Sequence, residues 1–427
     1  MDDILPFQIK KRTQHIIKVI GVGGGGGNAV NHMFREGIHD VSFAICNTDN
    51  QALEDSPVTV RVQLGEKTTG GLGAGNKPEV AREAAEESEG LLQNLLSDGT
   101  RMVFITAGMG GGTGTGAAPV VARVAKEMDI LTVGIVTIPF AFEGQRKIIQ
   151  ALNGVEEISK NVDALLVINN ERLRDIYHDW TVPSAFAKAD DTLATAAKSI
   201  AEIITIKGHV NLDFADVNTT LKGGGVAIMS SGLASGANRV DDAIKDALHS
   251  PLLNSNDVFS AKKVLINLTY DKEQPLKVEE LDPLHNFLSK FSHEVNVIWG
   301  MAEEEGLGEN VKATLLATGF SIADVPQIGE HWQEKTRAEK LEQQMLEEAK
   351  REEDRVNREK IEKYYGETVV KTITSSTRVE PFVLTLEELD DDKILEALEK
   401  TPVFKRDREF DPRAFSSEGG MQAKTLF

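Results

Sequence analysis

Five apolar runs separated by helical patterns constrain this chain most: HIIKVIGV, VSFAIC, RMVFITA, ILTVGIVTIP and DALLVIN, all between about residues 13 and 180. An apolar run of strand length with little polar alternation belongs to a strand covered on both faces. Alternating with crossover helices, such strands build a parallel sheet in an α/β domain. Lys188–Ile206 then carries apolar residues at helical spacing, over a length that bridges two domains. Beyond it, GVAIMSS, KKVLINLTY, NVIWGM and VKATLLATGF predict a second, smaller α/β domain that includes a helix at Ala237–Ala247 and ends near Phe320.

The 427 residues accommodate two or three domains, and a net charge of −20 argues against binding nucleic acid or an anionic membrane through the whole surface. The single cysteine, Cys46, lies in the run VSFAIC, which predicts a buried strand thiol and a reducing, cytoplasmic setting. The first residues, MDDILPFQIKKRTQ, have no signal-peptide core, and no segment has the length of a membrane span, so a soluble protein without membrane insertion is expected. After Phe320 the composition shifts. Residues 334–363 are mostly charged, with pairs such as Glu347/Arg351, Asp354/Arg358 and Glu359/Lys363 that support an exposed helical spacer. Val369–Val379 reads as unstructured, and Ile394–Phe415 recovers apolar residues beside Lys405, Arg406 and Arg408, the pattern of a docking peptide.

Three glycine runs punctuate the first domain: Gly21–Asn28 (GVGGGGGN), Gly70–Gly75 (GGLGAG) and Gly108–Gly116, the last within TAGMGGGTGTG. Without Cβ atoms, successive backbone N–H groups turn toward an anion, and a strand, a glycine loop and a helix N-terminus make a phosphate cradle. The third run leads from the strand Arg101–Ala107 into a helix read as Ala117–Lys126, with Pro119 in its first turn, and it carries no lysine. Gly21–Asn28 contains G-x-G-x-x-G, so a Rossmann dehydrogenase binding NAD is the alternative from another class, with Asp49 in the acidic role after the second strand. Three anion-binding turns in one sheet suit a compact triphosphate better than a dinucleotide.

The combination GGGGN, NTD, GLGAG and GGGTGTG, followed by PFAFEG and by NLDFADV, resembles the FtsZ family, the bacterial relatives of tubulin, from about residue 13 to 320. The resemblance implies an α/β, tubulin/FtsZ-like fold in which a parallel-sheet nucleotide domain is joined by a long central helix to a smaller α/β domain, then a charged linker and a tail peptide. It divides the chain into an N-terminal arm (1–12), a GTP-binding domain (13–180), a connecting segment (181–209), a C-terminal activation domain (210–320), a linker (321–400) and a docking tail (401–427). GTP or GDP is the implied ligand, with Mg2+ as the implied ion and K+ as an alternative.

Residue by residue, the resemblance assigns phosphate contacts to Gly24, Gly25 and Asn28 and to Gly111, Gly112, Thr113 and Gly114, with Asn47, Gly73, Ala74, Gly75, Thr115 and Gly116 completing the nucleotide site. Main-chain N–H groups, helix dipoles and a metal ion then replace the missing lysine. Glu143 with Arg146 or Lys147 matches the ribose and phosphate contacts. Guanine presents two adjacent donors and needs convergent acceptors; Asn170 and Asp191 hold the matching positions, Phe186 packs on the ring, and the neighbouring Asp190, where the family often has asparagine, is the alternative carboxylate to meet the base.

The same resemblance makes Asp213 and Asp216, helped by Asn211, the catalytic residues, acting in the nucleotide pocket of the next subunit. Such a head-to-tail contact generates filaments. The implied protein is a GTPase of the bacterial division ring, located in the cytoplasm at midcell, with itself as partner and residues 401–412 tying it to a membrane-attached adaptor such as FtsA. A plasmid-segregating filament is the alternative within the same chemistry. Asn218 stands where the family often has Arg or Lys, Lys147 where it commonly has Arg, and the chain runs on for 21 residues past Arg406.

Overall fold

The run IKVIGV forms the first strand, β1 (Ile17–Val22), buried along its whole length. The computed structural model describes residues 15–38, 40–176, 181–206, 208–249 and 258–321, together with Arg337 and Arg355. Apart from Arg337 and Arg355, the expected spacer, unstructured stretch and docking peptide beyond Ser321 lie outside the described residues, as does the N-terminal arm. The chain divides into two units, Met1–Thr336 and Arg337–Phe427; the following concerns the first.

Its strands are β1, β2 (Val41–Asn47), β3 (Arg61–Gln63), β4 (Met102–Gly108), β5 (Leu131–Ile138), β6 (Ala164–Asn169), β7 (Gly208–Val210), β8 (Gly225–Ala234), β9 (Lys263–Tyr270), β10 (Asn296–Glu303) and β11 (Val311–Phe320). They form one sheet in the order β3-β2-β1-β4-β5-β6-β8-β11-β9-β10-β7. Every pair from β3 to β8 is parallel, β11 runs antiparallel to both β8 and β9, and β7 closes the far edge antiparallel to β10. The sheet continues past the expected boundary at residue 180, because Ala164–Leu166 of β6 pairs with Gly225–Ala227 of β8.

Two apolar clusters cover the two faces. On one, Ile20, Val103 and Ile105 pack with Leu92, Val121 and Val155 from the helices Glu89–Leu96, Thr113–Glu127 and Gln145–Ser159. On the other, Val19, Phe104 and Val133 meet Val30 of the helix Gly23–Glu36 and Leu193, Ile200 and Ile203 of the central helix. That helix is Val182–Thr205; its cluster extends to Leu265 of β9 and Leu316 of β11, and its Glu202 pairs with Lys312 of β11 at 3.3 Å, so one helix serves both halves of the sheet. It starts six residues before the predicted Lys188 because the Thr181 hydroxyl caps it, accepting from Ser184 N–H, with Pro183 in the first turn.

Two helix starts differ from their sequence expectation. The helix read as Ala29–Phe34 begins at Gly23, inside the glycine run, and the helix read from Ala117 begins at Thr113, which places Pro119 in its interior rather than its first turn. The cause is contact with the sheet. A Cβ on Gly26 would lie 2.1 Å from Thr106 O, and one on Gly114 would lie 2.4 Å from Gly108 O. Only glycine lets each helix wind from its first turn against the neighbouring strand.

Candidate active site

Adjacent parallel strands β1 and β4 both deliver a helix N-terminus at their C-terminal ends, where the strand order reverses from β3-β2-β1 to β4-β5-β6. Open α/β sheets bind ligands at such a point. Neither the helix Gly23–Glu36 nor Thr113–Glu127 has a side-chain cap or an acidic residue in its first turn. Their first N–H groups are therefore left for an anion, with the positive ends of both dipoles behind them. The two starts touch, since a Cβ on Gly23 would lie 2.8 Å from Gly114 N. Gly24 and Gly111 face open space, with nothing within 4 Å of an added Cβ.

The Asn47–Asp49 turn at the end of β2 supplies the third wall. The hydroxyls of Thr48 and Thr113 are 2.7 Å apart, Gly73 N–H donates to Thr48 O at 3.1 Å, and Asn50 N–H donates to Gly71 O at 3.0 Å, so the GGLGAG loop is tied to NTD. Ala74 lies against Gly112. Asp49, the acidic residue a dinucleotide reader would need, is instead the N-cap of the short helix Asn50–Glu54, accepting from Gln51 and Ala52 N–H. That bonding speaks against the dehydrogenase alternative.

Beneath the TAGMGGGTGTG loop, the Gln150 side chain donates to Gly110 O and Gly111 O, and Gly110 N–H donates to the buried Thr115 hydroxyl. The loop carbonyls are thus held from behind. Thr115 and Gly116 face inward, Gly116 packing on Pro78. Nothing local in the sequence marks Gln150 or Thr48 for these roles, because each partner lies tens of residues away.

At the ends of β5 and β6, Glu143 accepts from Phe140 N–H at 2.9 Å and holds Lys147 Nζ at 3.2 Å. Arg146 points elsewhere, onto a cavity of about 440 Å³ that it shares with Lys77, Arg82 and Gln150. Phe186 of the central helix meets Phe140 edge-on at 5.3 Å. Asn170 is buried, and its Oδ1 has no hydrogen-bond partner among the described residues. Such an orphaned acceptor is costly unless a ligand donor completes it. Asp191 Oδ2 is bound by Lys188 Nζ at 2.5 Å, whereas burial pushes the Asp190 carboxyl up to about 6, against the charge of nearby His32.

Asn211, Asp213 and Asp216 are not part of this group. Asp213 caps the helix Phe214–Leu221, accepting from Ala215 and Asp216 N–H, while Asp216 Oδ2 accepts from Asp213 N–H; Asn211 Oδ1 accepts from Gly208 N–H. Both aspartates are exposed or half-exposed. Phe214 lies under the guanidinium of Arg101, at the start of β4, while the glycine loop leaves its other end. At about 3.3 Å per residue, β4 alone separates the two by about 20 Å.

Residues 16–178 match the Tubulin/FtsZ family GTPase domain, and residues 225–321 match the FtsZ family C-terminal domain. A cell division protein FtsZ from Porphyromonas gingivalis is 51% identical over 395 residues, covering 92% of this chain and 85% of the relative. The FtsZ of Buchnera aphidicola from Acyrthosiphon pisum is 46% identical, covering 73% of this chain and 82% of its own. Among solved structures, an empty FtsZ dimer from M. jannaschii superposes with a TM-score of 0.66 at 38% identity, covering 71% of this chain and 88% of that one. A lysine-free phosphate cradle at the switch point of the sheet, matched domain by domain in this way, means that the chain belongs to the FtsZ family of tubulin-like GTPases.

Proposed function

We propose that GTP lies across the ends of β1, β4, β5 and β6, and that its hydrolysis is completed by Asp213 and Asp216 of the next subunit in a head-to-tail filament. As a member of its family the chain is a filament-forming GTPase of cell division. The phosphates would meet the N–H groups of Gly24, Gly25, Gly111, Gly112, Thr113 and Gly114, with Asn28, Asn47, Gly73 and Gly75 at the rim. Guanine would be read by the unsatisfied Asn170 Oδ1 and by the Asp190/Asp191 pair, with Phe186 against its ring and Glu143 and Lys147 toward the sugar.

Mg2+ keeps several waters and binds mainly through phosphate oxygens and one or two protein oxygens. The paired Thr48 and Thr113 hydroxyls are donors of that kind, and K+ is the alternative ion for the same oxygens. A bound ion would supply charge neutralisation on the phosphates. The residues of this chain position the triphosphate, and the neighbour's aspartates orient the attacking water. Residues 401–412 would dock a membrane-attached adaptor such as FtsA, placing filaments at the midcell division site.

The observation that carries this reading is the position of Phe214 beneath Arg101, at the opposite end of β4 from the glycine loop. Complementation tests it. Asp213→Ala, which keeps its own cradle, is mixed with Gly111→Glu, which keeps its own catalytic loop. Random head-to-tail mixing restores about one quarter of wild-type turnover if the site is shared. Co-sedimentation of the two variants without any turnover would place the catalyst within a single subunit.

A further inference from the structure

We propose that His32, Glu36 and Asp191 form a transition-metal site, of the kind that takes zinc, which competes with the guanine base for Asp191. The competition, though not the metal site, rests on the reading of Asp191 as a guanine acceptor. One ring nitrogen and two carboxylate oxygens from these residues lie within 4.8 Å of one another. His32 and Glu36 are one turn apart in the last turns of the helix Gly23–Glu36, a spacing that puts two ligands on one face, and Asp191 comes from the central helix packed against it.

His32 Nδ1 gives an independent sign. The side chain is half-buried, with this ring atom covered and without a hydrogen-bond partner among the described residues; the atom stands 3.8 Å from Glu36 Oε1, too far for a hydrogen bond. A metal bound at about 2.1 Å to nitrogen and oxygen ligands in a tetrahedron draws its donors to about 3.4 Å apart, a closure within reach of side-chain rotation. Lys188 is paired with Asp191 Oδ2 at 2.5 Å, and Lys198 lies 3.9 Å from Glu36 and 4.0 Å from Glu202, so the metal must displace two ammonium groups from these carboxylates as it binds. Metal on Asp191 withdraws that carboxylate from guanine, so each ligand must weaken the other by the same factor.

Cobalt(II) is the probe, because its visible d–d absorption reports a site with nitrogen and oxygen ligands. The full chain, stripped of nucleotide and other metals, is titrated with Co2+ beside Glu36→Gln and His32→Gln, each checked for fold by circular dichroism. One saturable Co2+ per chain, displaced by Zn2+, is expected in the wild type, with affinity at least about tenfold weaker in both variants and in the presence of saturating GDP. Absence of a saturable spectrum, or equal binding in folded variants, overturns the site. Binding that the variants lose but GDP leaves unchanged overturns the competition. GDP affinity of metal-free Asp191→Ala examines the guanine reading separately: unchanged affinity there removes that reading and leaves the metal site standing.

Discussion

The guanidinium carbon of Arg101 lies 4.8 Å from the centre of the Phe214 ring, which fixes the residue beside Asp213 to the start of β4. The phosphate cradle opens at the other end of that strand. The glycine cradle and the two aspartates therefore lie at opposite ends of β4 within one chain; under the proposed reading, stacking of subunits brings them together.

Asp213 has two separable duties, capping a helix and carrying charge. Asp213→Ala removes both and costs about 1 kcal/mol of stability, whereas Asp213→Asn keeps a good cap and removes only the charge. Both variants are expected to bind GTP like the wild type and to lose at least about a hundredfold in turnover. Nucleotide binding by fluorescence, thermal melting and phosphate release separate the two duties.

Glycines in the cradle divide by what surrounds them. Gly26→Ala drives a methyl into Thr106 O and is expected to cost about 1–3 kcal/mol of stability through overpacking, seen as a lower melting temperature, whereas Gly111→Ala enters open space and leaves the empty fold intact. At Gly111 the loss should appear in GTP affinity, about tenfold or more, measured by equilibrium binding at a temperature where both variants are folded.

Leu72 is 89% exposed at the tip of the loop between Gly71 and Gly73, beside the glycine cradle, the face that the proposed head-to-tail filament would cover. A leucine so placed gains stability only when another surface covers it. Leu72→Glu should raise the critical concentration for assembly about tenfold and leave GTP binding by the monomer unchanged, as read by sedimentation and by nucleotide titration.

Cys46 is fully buried in β2, and burial pushes its thiol up to about 12. Since the thiolate is the reactive form, the native protein should resist a thiol reagent at pH 8 and react only as it unfolds. Rapid stoichiometric labelling of the folded chain would show that β2 opens.

Strands buried on both faces were legible in the sequence because β1, β5 and β6 appear as unbroken apolar runs. The three-residue strands β3 and β7 carry no such pattern and exist through their neighbours β2 and β10. Helix starts at Gly23 and Thr113 were hidden for the same reason, since glycine propensity opposes a helix that tertiary contact imposes. The motifs gave the cradle residues in chain order. Their assembly depends on Thr48 meeting Thr113, Gln150 holding Gly110 and Phe186 packing on Phe140, and local periodicity encodes none of these contacts. His32 beside Asp191 was equally invisible, because helix packing alone joins them.

The most direct measurement is GTP hydrolysis per molecule as a function of protein concentration, with light scattering recorded in the same cuvette. A shared site predicts negligible turnover at low concentration and a threshold that coincides with the rise in scattering. Constant turnover per molecule down to the lowest concentration, without scattering, would contradict it and place the catalyst within the single subunit.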